Sequence, residues 1–570
     1  MAKHIIYQIF PRTFANYNES RVHNGSIEEN GCGKLNGITS KALGEIRRLG
    51  ATHVWYTGVI RHATTTDYSA YGIPKNNPLI VKGRAGSPYA ITDYYDIDPD
   101  LAERVPERMH EFESLVKRTH KAGLKVVLDC VANHVAREYH SIAKPEGVKD
   151  FGEYDHPEWA FSPLNNFYYL PHQPFSTEHF ADSNTGERYE EYPAKATGND
   201  CFTAAPGRED WYETVKLNYG VYYVGGGEKQ FDPIPDTWQK MRDILLFWCR
   251  KGIDAFRCDM AHMVPVEFWH WAIASVKSEY PSVEFIAEIY DTSLYRSYIF
   301  YGGFDYLYDK VEMYDYLRGV TSKDYPADGI SRQWQATEDI QSHMLYFLEN
   351  HDEQRIASGF FCGSGSGAES AMIVSACLLS NPLLIYAGQE LGEQGMDMEG
   401  FSGIDGRTSI FDYWGVSSLQ SWANNGKFDG RRLSEEQRRL RQFYVRLLTL
   451  AREEKAISEG LMFDLEYVQG DGFNRNKEYA FMRKWGDETL LIVVNFNARD
   501  EHTQIRIPHA AFAYLDLQEQ ESVRMRDLLT DTIYEGLSLH SEHPLEIVVP
   551  AWKGVILKLE NVKQETYKLL

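Results

Sequence analysis

Residues 252–262 read GIDAFRCDMAH, a segment with the apolar content of a buried strand that nonetheless carries Arg257 and Asp259 two positions apart. Strand alternation puts Ala255, Arg257 and Asp259 on one face and Phe256, Cys258 and Met260 on the other. A charged pair on an inner face loses several kcal/mol of hydration per ion unless it is paired and hydrogen-bonded. Taken alone, the segment reads as a structural ion pair at the rim of a sheet. Its surroundings in the chain decide otherwise.

Immediately upstream lies DTWQKMRDILLFWCRKG (236–252), with Asp236 as a helix N-cap, Trp238, Met241, Leu245 and Trp248 as the apolar stripe, and Gly252 as the stop. The same device recurs in both directions. TSKALGEIRRLG (39–50) feeds ATHVWYTG (51–58), and PERMHEFESLVKRTHKAG feeds LKVVLD (124–129). VPVEFWHWAIASVKSEY leads to EFIAE (284–288), and further helical stretches precede HMLYFLEN (343–350) and PLLIYAG (382–388). With HIIYQIF (4–10) as a first strand and GGFDYLYD (302–309) between the fifth and seventh, eight strand–helix alternations follow one another. The sequence therefore predicts an α/β fold, a (β/α)8 TIM barrel.

The predicted barrel comprises residues 1–135 and 236–455. Residues 136–235 are polar, aromatic and rich in turns, and read as an inserted domain after the third strand. SEEQRRLRQFYVRLLTLAREE (434–454) is a charged helix suited to closing the barrel. Beyond it, YAFMRKWG, TLLIVVNFN, LEIVVP and GVILKL predict a C-terminal all-β sandwich domain over 456–570.

Bulk properties narrow the partners. A net charge of −23 argues against nucleic acid or an anionic membrane, since phosphate binding needs a basic footprint. Aromatic residues make up 14% of the chain, including 37 Tyr and 12 Trp, a supply of flat rings suited to stacking on sugars. Seven Cys without a CxxC pair suggest neither a disulfide framework nor a zinc site. The N-terminal MAKHIIYQIFPRTF lacks the apolar region of a signal peptide, and no window is apolar enough to span a bilayer. These features predict a cytoplasmic location.

In a (β/α)8 barrel, function assembles where the strands end. The third predicted strand ends in Asp129, followed by Asn133 and His134; the fourth ends in Arg257 and Asp259; the fifth in Glu288; the seventh in Asn350, His351 and Asp352. Two chemistries use such carboxylates: binding of a divalent metal, or flanking a glycosidic bond with one nucleophile and one acid/base. Arg257 favours the second, because a guanidinium supports an ionised nucleophile and repels a catalytic metal. EFIAEI surrounds Glu288 with apolar residues, an environment that suits a general acid. Asp352 is then placed to stabilise positive charge developing on the sugar.

Asp129-Cys-Val-Ala-Asn133-His134, Phe256-Arg257-Cys-Asp259, Glu288 within FIAEIYD, and Asn350-His351-Asp352 resemble four ordered signature segments of the α-amylase family, glycoside hydrolase family 13. YQIFPRTF and PLLIYAGQE are similar to that family as well. The resemblance implies a retaining enzyme acting on α-1,4-linked glucans or maltooligosaccharides, with Asp259 as nucleophile, Glu288 as acid/base and Asp352 as transition-state stabiliser. It further implies that Arg257, His134 and His351 line the sugar, that Asp129 supports them, and that Tyr89 stacks on it. No cofactor is implied for the chemistry, but a structural calcium is, with Asn133 among its ligands.

Three segments depart from the family pattern: Asp259-Met-Ala-His262-Met263, the stretch GVIRHATTTDY, and TVKLNYG (214–220), where Lys216 replaces a customary Asp. They leave transglycosylation as an alternative outcome of the same mechanism. A silent sugar-binding protein and a metal-dependent hydrolase are the readings from other classes; the intact acidic trio opposes the first and Arg257 the second.

Overall fold

The computed structural model describes residues 3–180 and 187–560; the predicted C-terminal limit at 570 lies outside the described residues. Eight parallel strands close into a barrel in chain order: β1 (Ile5–Ile9), β2 (His53–Tyr56), β3 (Lys125–Cys130), β4 (Ala255–Cys258), β5 (Glu284–Ala287), β6 (Tyr306–Tyr308), β7 (Met344–Phe347) and β8 (Leu383–Tyr386). β1 pairs with both β2 and β8, which seals the ring. The TIM barrel expected from the sequence is therefore the fold.

Period two explains how the walls are built. Ile6, Trp55, Val127, Ala255, Ile286, Tyr308, Leu345 and Leu384 form one apolar cluster inside the barrel. Their strand neighbours Tyr7, Val54, Leu128, Phe256, Phe285, Leu307, Tyr346 and Ile385 belong to the larger core beneath the helices. Every barrel strand is thus apolar on both faces, as parallel strands covered by helices must be.

The helices end where glycine permits. α1 (Ser40–Leu49) is capped by Thr39, whose hydroxyl accepts from Ala42 N, and stops at Gly50 with φ +117°. α2 (Arg108–Lys121) is followed by Gly123 in the left-handed region. α3 (Asp236–Arg250) differs by one residue from its sequence reading. Pro235 occupies the cap position, so Asp236 is the first helical residue and pairs with Lys240 at 2.8 Å. Proline's fixed φ and missing N–H suit the helix entrance better than they suit any later position. α4 (Val266–Glu279) follows β4. A long helix, Glu435–Glu453, opens with a capping box at Ser434 and Gln437 and packs against α1 beside β8, completing the outer ring.

Two excursions leave the top of the barrel. After β2, an antiparallel ribbon (Ile60–His62 with Ile91–Ile97) carries Tyr89 at its turn. After β3, the chain departs through His134–Ala136, wanders with little regular structure, and returns through Thr214–Lys216, which pairs antiparallel with the outgoing segment. His134 lies directly opposite Lys216. Beyond the last barrel helix, a six-stranded sheet and a two-stranded sheet (Glu501–Ile505 with Leu545–Val549) enclose their own apolar core. One seven-residue helix, His509–Leu515, interrupts these strands and packs Ala511, Phe512 and Leu515 into that core.

Candidate active site

The C-terminal ends of β3, β4, β5 and β7 converge around one guanidinium. Arg257, 1% exposed, donates from Nη1 to Asp259 Oδ1 at 2.8 Å and to Asp129 Oδ1 at 3.4 Å. Its Nη2 faces Glu288 Oε2 at 2.8 Å and Asp352 Oδ2 at 4.0 Å as ion pairs. Nε donates to Tyr308 Oη at 3.2 Å. A buried arginine is stable only when its charge and donors are met; here Nη1 and Nε are hydrogen-bonded, and Nη2 is met by the charge of Glu288 and Asp352 without a hydrogen bond. The pair in GIDAFRCDMAH is the hub of the barrel mouth.

The charges do not balance. One guanidinium faces four carboxylates, so Asp259 and Asp352 feel both its charge and one another's. Burial pushes the Asp259 carboxyl well above its ordinary range; Arg257 opposes this, and Glu288, Asp129 and Asp352 add to it. Burial likewise raises Asp129 to about 6, and burial with repulsion from Glu288 raises Asp352 to about 7. The sequence expectation that Arg257 keeps Asp259 readily ionised is corrected accordingly, since burial, with repulsion from three further carboxylates, outweighs one arginine.

The surroundings of Glu288 are corrected as well. Its sequence neighbours are apolar, but Ala287 and Ile289 belong to the outer core. The carboxylate itself accepts from Tyr290 Oη at 2.5 Å and from Met260 N at 2.8 Å. Met260 reaches it because its backbone turns into the left-handed region (φ +43°) directly after Asp259. Strain of this kind in a non-glycine residue persists where neighbouring structure imposes it.

His351 and Tyr89 form a second unit. Gln8 Nε2 donates to His351 Nδ1 at 2.8 Å, leaving Nε2 as the protonated nitrogen. That nitrogen faces Asp352 Oδ2 at 3.1 Å and the Tyr89 hydroxyl. The Tyr89 ring stacks on His351 with centroids 5.4 Å apart, and Arg257 lies 5.5 Å from the tyrosine ring centre. Burial, with the charge of Arg257, pushes the His351 imidazole well below its usual range. His134 is held down to about 3 by burial, then by Lys216 and Lys82. Both histidines are therefore neutral hydrogen-bonding groups at neutral pH.

These residues surround a cavity of about 320 Å³, bounded by Tyr89, His134, Asp259, Glu288, Tyr290 and Asp352. Lys82, Trp211 and Glu213 from the two excursions, with Phe411 after β8, close its sides. Lys82 and Glu213 pair at 3.1 Å, and Trp211 packs against His134 at 5.2 Å. A largely apolar pocket with a few convergent polar groups suits one sugar ring and its flanking bonds.

Besides the cavity walls, sequence reading missed four side chains that hydrogen-bond the predicted site residues: Tyr290, Trp55 (whose Nε1 donates to Asp129 Oδ2 at 3.1 Å), Gln8 and Tyr308. Tyr290 alone had a usable signal, lying two positions after Glu288. The other three act across strand registers that the sequence does not display.

Calcium at Asn133 does not fit. Asn133 Oδ1 accepts from Lys216 Nζ at 2.5 Å, and Nδ2 donates to the Gly198 carbonyl at 2.7 Å. The same ammonium reaches Asp200 Oδ1 at 2.6 Å and the Met263 carbonyl at 3.0 Å. Amide, carboxylate and carbonyl oxygens form the donor set that calcium prefers, yet a lysine already stands among them. The metal role expected for Asn133 is corrected on that ground.

The family model described as the catalytic domain of alpha-amylase matches residues 8–410. Alpha-amylase 3 of Dictyoglomus thermophilum is 24% identical over 534 residues, spanning 88% of this chain and 85% of that protein. An alpha-1,4-glucan:maltose-1-phosphate maltosyltransferase of Picrophilus torridus is 22% identical, over 93% of this chain and 66% of its own length. Among solved structures, the α-amylase of Geobacillus thermoleovorans complexed with acarbose aligns with a TM-score of 0.62 at 19% identity, covering 98% of each chain.

Proposed function

This chain belongs to the alpha-amylase family, and from that premise we propose that it cleaves α-1,4-glucosidic bonds of starch-like glucans or maltooligosaccharides with retention of anomeric configuration. Arg257 carries the reading, because it holds Asp259 and Glu288 on adjacent nitrogens of one guanidinium, each at 2.8 Å. Retaining glycosidases need their carboxyl groups about 5 Å apart, too close to admit a water between them and the sugar. Two carboxylates held on one guanidinium edge support a spacing of that order.

In the first step an Asp259 oxygen attacks the anomeric carbon while Glu288 delivers its proton to the departing glycosidic oxygen. The bond to the leaving sugar breaks as the bond to Asp259 forms. In the second step Glu288, now a carboxylate, removes a proton from water, whose oxygen displaces Asp259. Asp352, on the lip of the same cavity, stabilises the oxocarbenium-like charge in both steps. His351 and His134, being neutral, donate hydrogen bonds to sugar hydroxyls without adding positive charge against that transition state. Asp129 positions Arg257 and is itself held by Trp55.

Transfer to a second sugar is the alternative second step, supported by the similarity to a maltosyltransferase and by the ring-lined walls at Trp211, Tyr290 and Phe411. The seven free thiols favour a reducing, cytoplasmic setting. Among the described residues no helix is long and apolar enough to cross a membrane. Incubation with maltoheptaose, with products resolved by length and by the anomeric signal, tests the proposal. Short products released first as α-anomers support retaining hydrolysis, products longer than the substrate support transfer, and β-anomers overturn the mechanism.

A further inference from the structure

The three oxygens around Lys216 come from three parts of the chain. Asn133 follows β3, Met263 lies in the loop after β4, and Asp200 belongs to the excursion that covers the mouth. The lysine is 1% exposed and arrives by the cross-strand register that sets it opposite His134. Around it the fit is close. Gly198 passes so near that a side chain there would meet Thr214 Oγ1 and His134 Cβ within 3 Å, and the Tyr223 ring centre lies 5.3 Å from Nζ. Asp200, itself exposed, has a left-handed backbone (φ +60°) and sets its carboxylate against Nζ from the solvent side.

We propose that Lys216 is an internal cation standing where an oxygen-ligated divalent ion would otherwise sit, so that the covering excursion and the loop after Asp259 are fastened to the barrel without any metal. An ammonium offers three donors to three acceptors and carries half the charge of calcium, enough to neutralise the single carboxylate present. A divalent ion cannot share the space, because two cations within about 3 Å repel strongly at interior dielectric. A metal stabilises a fold only as far as its free concentration exceeds its dissociation constant. A covalently attached cation removes that dependence. Its reach to Met263, four residues after Asp259, makes Lys216 a positioning residue for the nucleophile's loop as well as a fastener, whichever linkage the mouth cleaves.

The test compares wild type with Lys216→Met and Lys216→Asp, each dialysed against EDTA and then measured with and without millimolar calcium chloride. Melting temperature and maltoheptaose turnover are both read. Wild type is expected to melt at the same temperature and turn over within twofold under both conditions. Lys216→Met is expected to melt several degrees lower with no calcium response. Lys216→Asp, which exchanges the ammonium for a fourth oxygen donor, is expected to melt lower in EDTA and to recover several degrees with calcium. Calcium-restored activity or stability in chelated wild type would overturn the proposal, and that arm stands even if neither variant folds. So would a Lys216→Met protein as stable as wild type, or a folded Lys216→Asp protein indifferent to calcium.

Discussion

Lys216 and Arg257 are both buried cations, and their charge environments are opposite. Lys216 faces one carboxylate, one amide oxygen and one carbonyl, so its charge is matched. Arg257 faces Asp129, Asp259, Glu288 and Asp352, so its charge is exceeded. Matched charge with satisfied hydrogen bonds holds a structure in one arrangement. Burial, with excess negative charge beside it, raises Asp129, Asp259 and Asp352 toward neutrality, a condition that costs stability and serves catalysis. The same physics gives a fastener in one place and a reaction centre in the other.

The contrast breaks most visibly if both clusters respond alike to mutation. Asp259→Asn and Glu288→Gln are expected to lower kcat by about 10⁴-fold or more, as losing a nucleophile or its proton donor does. Their melting temperatures should stay equal to wild type or rise, because each substitution relieves repulsion within the cluster. Calorimetry beside steady-state kinetics checks both halves. Lys216→Met is expected to do the reverse. It should cost about 2 kcal/mol, less than a fully buried pair loses because Asp200 can rehydrate, with a smaller effect on kcat. Denaturant melts decide that value.

Much of this is legible in the sequence itself, and the reason is geometric. Strand alternation and helix stops repeat locally, so GIDAFRCDMAH and its counterparts place Asp129, Asp259, Glu288 and Asp352 at strand ends from sequence alone. What was not legible depends on register between distant strands. Gln8 orders His351 from 343 residues away, and Trp55 holds Asp129 from 74. The apolar look of FIAEI misled because alternate residues face opposite sides, and the groups that reach Glu288 are Tyr290, Met260 and Arg257. Lys216 was visible as a departure from pattern, but its meaning required Asp200, which sits in a stretch without periodicity.

Smaller effects sharpen the comparison further. Tyr290→Phe removes a hydroxyl donor to Glu288 and should lower kcat by about tenfold, in line with a hydrogen bond to a charged group, with little change in KM. Asp129→Asn removes one of the charges that raise Asp259. The acidic limb of its kcat/KM profile should therefore shift to lower pH, measured in parallel with wild type. The stability profile carries the same sign. Asp129 and Asp352 are raised to about 6 and about 7 in the folded state, so the native protein binds more protons than the unfolded chain between the ordinary carboxylate range and neutrality. Their contribution is fully present below that range and is lost as pH rises toward 7. Melting temperature across this window should depend less on pH in Asp129→Asn than in wild type.

If Asp259 is the nucleophile, it becomes covalently glycosylated during turnover, and trapping that adduct is the decisive experiment. Glu288→Gln would be mixed with α-maltosyl fluoride, whose leaving group needs no proton, and its intact mass and peptide map recorded. Formation proceeds while hydrolysis lacks its base, so the account predicts a maltosyl adduct accumulating on the peptide that contains Asp259. An adduct on another residue, or turnover of the fluoride to β-maltose without any adduct, would contradict it.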